Sequence, residues 1–300
     1  MTDTTMTQPT MTEPTTRTLD AQGATLTYDV RPNPASTKPI LMFIGSPMGA
    51  SGFETLSGYF SDRTLVTYDP RGSERSTRTD GTIANTTEEH AEDVHRVISA
   101  VTTKPVDLFA SSGGAVNALA LVARHPNDVR VLVAHEPPDF AVLPDAKDAL
   151  AAADDMYATY DRAGFGAAMA KFIALTGYKG PIPADFASQP APDPAMFGMP
   201  PDDGSREDPL FARNRATPRF EPDFEALRRA PTRIVMAVGA ASADQLTDRA
   251  TRAIAERLGS EVVVFPGGHG GFNRSEWDPT ADPDAFAATL RAILDGPGGA

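Results

Sequence analysis

Apolar positions along this chain change their period in a regular order. Thr16–Leu19 and Ala24–Val30 flank a Gln22-Gly23 turn and predict an antiparallel hairpin at the edge of a sheet. After a Pro-rich loop come short apolar runs at Ile40–Ile44, Thr64–Tyr68, Val106–Phe109 and Val129–Ala134. Stretches of helical period, Thr87–Val101 and Gly113–His125, fall between them. Unbroken apolar character in the strands means burial on both faces, which belongs to a parallel sheet with helices above and below.

The alternation stops from Pro137 to about Arg229. Two helix-like stretches, Asp145–Asp161 and Gly166–Leu175, lead there into PIPADFASQPAPDPAMFGMPPDDGSREDP, whose proline and acid density opposes regular structure. The rhythm resumes with Arg233–Val238, Asp244–Leu258, Glu261–Phe265 and Pro283–Leu294. The predicted organisation is a disordered tail at 1–15, one core built from 16–136 and 230–300, and a lid insertion at 137–229.

Composition narrows the function. At 41% hydrophobic and 22% charged residues the chain can bury a full core. A formal charge of -13 repels phosphate backbones and anionic lipid, so neither nucleic acid nor a membrane surface is an expected partner. Without cysteine there is no disulfide, thiolate nucleophile or Cys-based metal site. The first residues lack the basic and apolar regions of a signal peptide, and no apolar run is long enough to span a bilayer. The expectation is a cytoplasmic protein, monomer or homodimer, acting on a small-molecule substrate.

The sharpest local signal is VDLFASSGGAVNALALVARHP, a strand, a tight turn and a helix in direct succession. Small residues at Ala110 and Gly114 bracket Ser112, as a nucleophile elbow requires, because larger side chains there would strike neighbouring backbone. The helix start below would bring the Gly113 N–H and a positive dipole end to a developing oxyanion. Ser111 sits one position too early and is read as support beside the nucleophile. Of the five histidines, His90 and His95 lie on an acid-rich helix and read as solvated, and His125 closes a helix before Pro126. His135 ends a strand and ranks second as a base. His269, in VVVFPGGHGGFN, ranks first: it lies on a glycine loop beyond the last strand, at the sheet edge where ligands bind. Gly45-Ser46-Pro47-Met48-Gly49, after the third strand, offers the Ser46 N–H as a second oxyanion donor.

These motifs together, GSP, YDPRGSERS, ASSGG, HEPP and FPGGHGGF in this order from Thr16 to Leu294, resemble the α/β-hydrolase superfamily. The chain looks closest to actinobacterial-type members carrying SSGGA and AHEPP. The resemblance implies an α/β fold with a mostly parallel eight-stranded sheet, helices on both faces, an inserted helical lid and a serine–histidine–acid triad. Two departures stand out. The motif after the third strand usually begins His-Gly, and Ile44-Gly45 replaces it, which bears on how that loop is oriented. The usual acid position after Arg233–Val238 is Ser242, so the acid is either Glu136, which is preferred, or Asp244, which also reads as a helix cap. Asp69 and Arg71 are expected to pair with each other structurally. Met48, Phe172 and Tyr160 are candidate substrate contacts. No metal or organic cofactor is implied.

The expected function is hydrolysis of a small, rather apolar carboxylic ester or lactone through an acyl-enzyme. In that scheme Ser112 attacks, His269 acts as general base and then acid, and Glu136 orients it. The missing acid also leaves open a lyase, cyclase or cofactor-free oxygenase using the Ser–His pair, or a ligand-binding protein.

Overall fold

The computed structural model describes residues 13–274 and 279–296. Most of the expected tail lies outside that range, and Thr15 already belongs to the first strand. β1 (Thr15–Ala21) and β2 (Ala24–Arg31) form the expected hairpin, with Gly23 at φ 74° supplying the left-handed turn residue. β3 (Leu41–Ile44), β4 (Leu65–Tyr68), β5 (Val106–Ser111), β6 (Val129–His135), β7 (Arg233–Gly239) and β8 (Val262–Phe265) complete the sheet. The order across it is β1-β2-β4-β3-β5-β6-β7-β8, parallel from β4 to β8, and a two-residue strand at Thr77–Arg78 adds to β2.

Burial on both faces follows from the unbroken apolar runs. Along β3, Met42 and Ile44 enter one hydrophobic cluster while Leu41 and Phe43 enter the other. The first cluster takes in α1 (Thr87–Val101), α2 (Gly113–Arg124), α5 (Leu246–Leu258) and much of the insertion. The second takes in a short helix at Glu54–Ser57 and α6 (Pro283–Leu294). Each fully buried Val, Leu or Phe side chain contributes roughly 1.5–3 kcal/mol relative to exposure. α1 starts on a capping box: Thr86 Oγ1 accepts the Glu89 N–H at 3.1 Å and Glu89 Oε2 accepts the Thr86 N–H at 2.9 Å.

The segment between β6 and β7 holds α3 (Ala146–Gly177), α4 (Phe224–Arg229) and several single turns. The two helices expected here meet at a kink at Gly164, whose φ of 77° and ψ of -172° no other residue type adopts readily. Asp69 and Arg71 are both buried, but they do not pair with each other as expected. Arg71 forks onto Asp93 at 2.6 Å through two nitrogens, and Asp69 accepts the Ala50 N–H at 2.9 Å and Arg75 Nε at 2.5 Å. The turn after β4 therefore carries two separate ion-pair groups, Arg71 with Asp93 and Glu89, and Arg75 with Asp69 and Asp29. Among the described residues no helix is long and apolar enough to cross a membrane.

One buried acid strains the fold. Asp139 is wholly inaccessible, and neither carboxyl oxygen has a hydrogen-bond partner of normal geometry. Burial pushes its pKa up to about 8, against smaller pulls from the Ala141 N–H and Arg257. The folded state therefore holds a proton that the unfolded chain releases near 4, so stability falls as pH rises from there towards 8. Asp139→Asn cannot ionise. Its unfolding free energy should gain on the wild type by on the order of 4 kcal/mol between about pH 5 and about pH 9 in urea titrations. Parallel pH dependences would show that the carboxylate is accommodated.

Candidate active site

Strand β5 is buried along its whole length and delivers Ser112 at the C-terminal edge of the sheet, directly before α2. Ser112 has φ 57° and ψ -132°, a conformation that costs a non-glycine residue about 1–3 kcal/mol. Two backbone bonds hold it there: its N–H donates to the His135 carbonyl at 2.9 Å, and its carbonyl accepts the Ala115 N–H at 2.8 Å. The small residues beyond it are a steric necessity. A Cβ on Gly114 would lie 2.7 Å from Gly45 Cα and 2.7 Å from the Ile44 carbonyl oxygen; one on Gly113 would lie 2.7 Å from the Ser46 carbonyl oxygen. The start of α2 thus packs directly on the turn after β3, and the N–H at its first position has no partner within the helix.

Glu136 follows β6 and is completely buried, with φ 51°. Its Oε1 accepts the Gly239 N–H at 2.8 Å, and its Oε2 accepts the Thr247 hydroxyl at 3.1 Å. The same Oε2 lies 2.6 Å from His269 Nδ1. Burial alone would raise this carboxyl, but the His269 contact and the Gly239 N–H bring it down to about 2. A carboxylate at that distance requires the proton on Nδ1, which leaves His269 Nε2 with a free lone pair. The His269 side chain is 46% exposed, on a loop that the Gly267 carbonyl and the Ala241 N–H tie to β7 at 2.9 Å.

Asp244 is elsewhere. Its N–H donates to Asp248 Oδ2 at 3.0 Å, its carbonyl accepts the Gly180 N–H at 2.8 Å, and Gln245 takes the cap position of α5. Of the two candidate acids, Glu136 is the one the structure brings to His269.

Ser112, Gly113, Ser46 and His269 line one cavity of about 320 Å3. Its walls are largely apolar, including Phe140, Met156, Tyr157, Phe172 and Leu175, with Asn214, Gln245 and Thr247 among the polar groups. Of the three candidate substrate contacts, Phe172 lines this cavity, and Tyr160 and Met48 do not. Tyr160 stacks on Phe211 at 5.3 Å inside the insertion, and its hydroxyl accepts the Asp208 N–H at 2.9 Å. Met48 folds back over Gly52 and packs against the cluster around Phe53.

His135 lies below the site, fully buried, with Nδ1 3.4 Å from Ser111 Oγ and its ring among Phe109, Phe265, Phe272 and Phe286. Burial lowers its pKa to about 4 and keeps it neutral, and it is not among the residues that line the cavity. The reading of His90 as solvated is also corrected: it is buried on the core side of α1, and burial lowers its pKa to about 3. His95 and His125 stack at 3.8 Å, facing Asp128 at 2.6 Å and Glu92 at 3.0 Å respectively. With Asp128 they form the metal-competent grouping found among the described residues. It sits at the opposite, N-terminal end of the strands.

Sequence reasoning missed Thr247 and Asn214. Thr247 reaches Glu136 from the first turn of α5, and Asn214 returns to Ser46 from the insertion, its Nδ2 3.1 Å from Ser46 Oγ. Neither sits in a motif, so only the three-dimensional path of the chain reveals them.

Comparison with known proteins agrees with this architecture. Residues 38–272 match the family described as alpha/beta hydrolase fold. The uncharacterized hydrolase YraK of Bacillus subtilis (strain 168) is 30% identical over 265 residues, covering 85% of this chain and 89% of that one. Among solved structures, an esterase (EaEST) from Exiguobacterium antarcticum superposes with a TM-score of 0.62 at 18% identity, over 92% of this chain and 97% of that one. The enol-lactonase from Burkholderia xenovorans LB400 does so with a TM-score of 0.60 at 16% identity, over 93% and 100%.

Proposed function

This chain belongs to the α/β-hydrolase fold family, and we propose that it is a serine hydrolase cleaving small, rather apolar carboxylic esters or lactones through an acyl-enzyme. The observation that carries this reading is the 2.6 Å contact between His269 Nδ1 and buried Glu136, made at the mouth of the cavity that Ser112 enters from its strained turn. His269 Nε2 takes the Ser112 proton as Oγ attacks the substrate carbonyl. The N–H groups of Gly113 and Ser46 stabilise the oxyanion, and the ionised Glu136 stabilises the imidazolium. His269 then gives the proton to the departing alkoxide. Water, deprotonated by the same nitrogen, releases the acid and restores the serine.

Size and polarity of the cavity support the substrate class. About 320 Å3 of mostly apolar wall suits a compact acyl or alkyl group, and it includes no lysine or arginine to hold a strongly anionic one. An esterase and an enol-lactonase among the fold relatives fit the same class. The insertion contributes Met156, Tyr157, Phe172 and Leu175 to the walls and would act as the lid of the site.

Aryl esters of increasing acyl length, followed by rapid acid quenching and peptide mass analysis, test the reading. An acyl adduct is expected on the peptide carrying Ser112, with kcat/KM falling once the chain outgrows the cavity. Turnover of no ester or lactone, together with no adduct, would remove the proposal.

A further inference from the structure

Ile44 ends β3 wholly buried and apolar, so it gives no polar side chain to orient the turn that follows. That turn begins with Gly45, which has no side chain of its own to anchor the peptide before Ser46, and the N–H of that peptide is the one assigned to the oxyanion. What touches it comes from far away in the chain. Asn214 presents its whole amide to Ser46 Oγ, with Nδ2 donating at 3.1 Å and Oδ1 accepting at 3.4 Å, across 168 residues. Both side chains are nearly inaccessible, Ser46 at 3% and Asn214 at 6%, and both line the cavity.

Asn214 is itself well anchored. It follows a single π-helical turn, Pro209–Arg213, whose first N–H groups are taken by Asp208: Leu210 at 3.0 Å and Phe211 at 3.2 Å. Phe211 is fully buried against Tyr160, Phe165 and Phe172 of α3. The Arg213 carbonyl accepts the Asn85 N–H at 2.9 Å, and the Asn214 carbonyl accepts the Thr217 N–H at 3.2 Å. On the other side the Ser46 carbonyl is pressed against Gly113. Ser46 is thus held between the start of α2 and the returning limb of the insertion.

We infer that Asn214 is a positioning residue for the oxyanion site: by gripping Ser46 Oγ it fixes the direction of the Ser46 N–H, so that oxyanion stabilisation depends on the insertion being seated. This rests on the serine-hydrolase reading above. Loss of one oxyanion donor typically costs about 100- to 1000-fold in kcat; misalignment of a donor that is still present should cost less, about 10- to 100-fold.

The test is a double-mutant cycle on ester turnover, with thermal unfolding as a check on folding. Asn214→Ala and Ser46→Ala each remove one side of the grip while keeping the Ser46 N–H. Each should lower kcat by about 10- to 100-fold with KM changed by less than about threefold, and the double variant should fall no further than either single one. Affinity for an alkyl boronic acid, which mimics the tetrahedral anion at Ser112, should fall in parallel. An unchanged kcat in either variant, an effect confined to KM, or fully additive losses would each overturn the assignment. Should Asn214→Ala fail to fold, Ser46→Ala decides alone. Wild-type protein that forms no covalent adduct with a fluorophosphonate would overturn this inference together with the reading beneath it. A labelled wild type whose Asn214→Ala form reacts at the same rate overturns the inference alone.

Discussion

Replacing Ser112 by alanine is expected to lower ester turnover by about 100,000- to 1,000,000-fold and to abolish fluorophosphonate labelling, with the fold intact. The size of the loss follows from how the residue is held. Strand β5, the His135 carbonyl and the close approach of Gly113 and Gly114 to the β3 turn exist around a backbone that an unstrained residue would not adopt. All of that remains in Ser112→Ala; only the attacking oxygen is gone. Residual acceleration, on the order of 1000-fold over the uncatalysed reaction, should persist from the oxyanion donors and the apolar cavity. Labelling that survives in this variant would place the nucleophile elsewhere. Turnover of a true substrate without loss would favour proton-transfer chemistry over acyl transfer.

The second large effect belongs to Glu136→Gln, for which a fall in kcat of about 10,000-fold is expected while Asp244→Asn stays within about twofold of wild type. The argument is one of hydrogen-bond direction. The Gly239 N–H can only donate, so it demands an acceptor at the Oε1 position, and a glutamine must place its carbonyl there. Its NH2 then faces Thr247 and His269 Nδ1. The Thr247 hydroxyl can turn to accept, but His269 is forced to accept at Nδ1 and to carry its proton on Nε2, where it can no longer take one from Ser112. Because the native carboxylate has its pKa near 2, it stays ionised through the range in which such enzymes are assayed. The same lowering stabilises the fold above about pH 4.5 and is lost as pH falls towards 2. Equal activity in Glu136→Gln and wild type, or a large loss in Asp244→Asn, would reverse the assignment.

Much of this architecture was legible in the sequence because the signals were local. Buried parallel strands read as unbroken apolar runs, and α6 was bounded at Pro283–Leu294 because Pro at its first position and an amphipathic period mark it. Ser112 and His269 were legible because each sits in a glycine-rich turn beside a strand end. Glu136 was preferred to Asp244 but not decided on, since both are acids beyond a strand end and which one reaches His269 depends on contacts across the sheet. His90 misled for a different reason: acids surround it in sequence, yet it points inwards while Glu88, Glu89 and Glu92 point away from the core. Tyr160 and Phe172 share a helix and an aromatic character. Both pack on Phe211, but of the two Phe172 alone also reaches the cavity, a difference that the residue types do not show.

The pairing of β5 with β6 sets Ser111 opposite His135, one residue before Ser112 and Glu136 respectively. The proposed nucleophile and acid therefore leave adjoining strands at the same level, each one residue past the last pair of the ladder, and the sheet sets their spacing. The insertion enters after the acid and leaves before β7, so it can breathe, lengthen or change its aromatic lining without altering that spacing. Selection acting on the substrate and selection acting on the proton relay thus fall largely on separate parts of the chain, and they meet where the insertion grips Ser46.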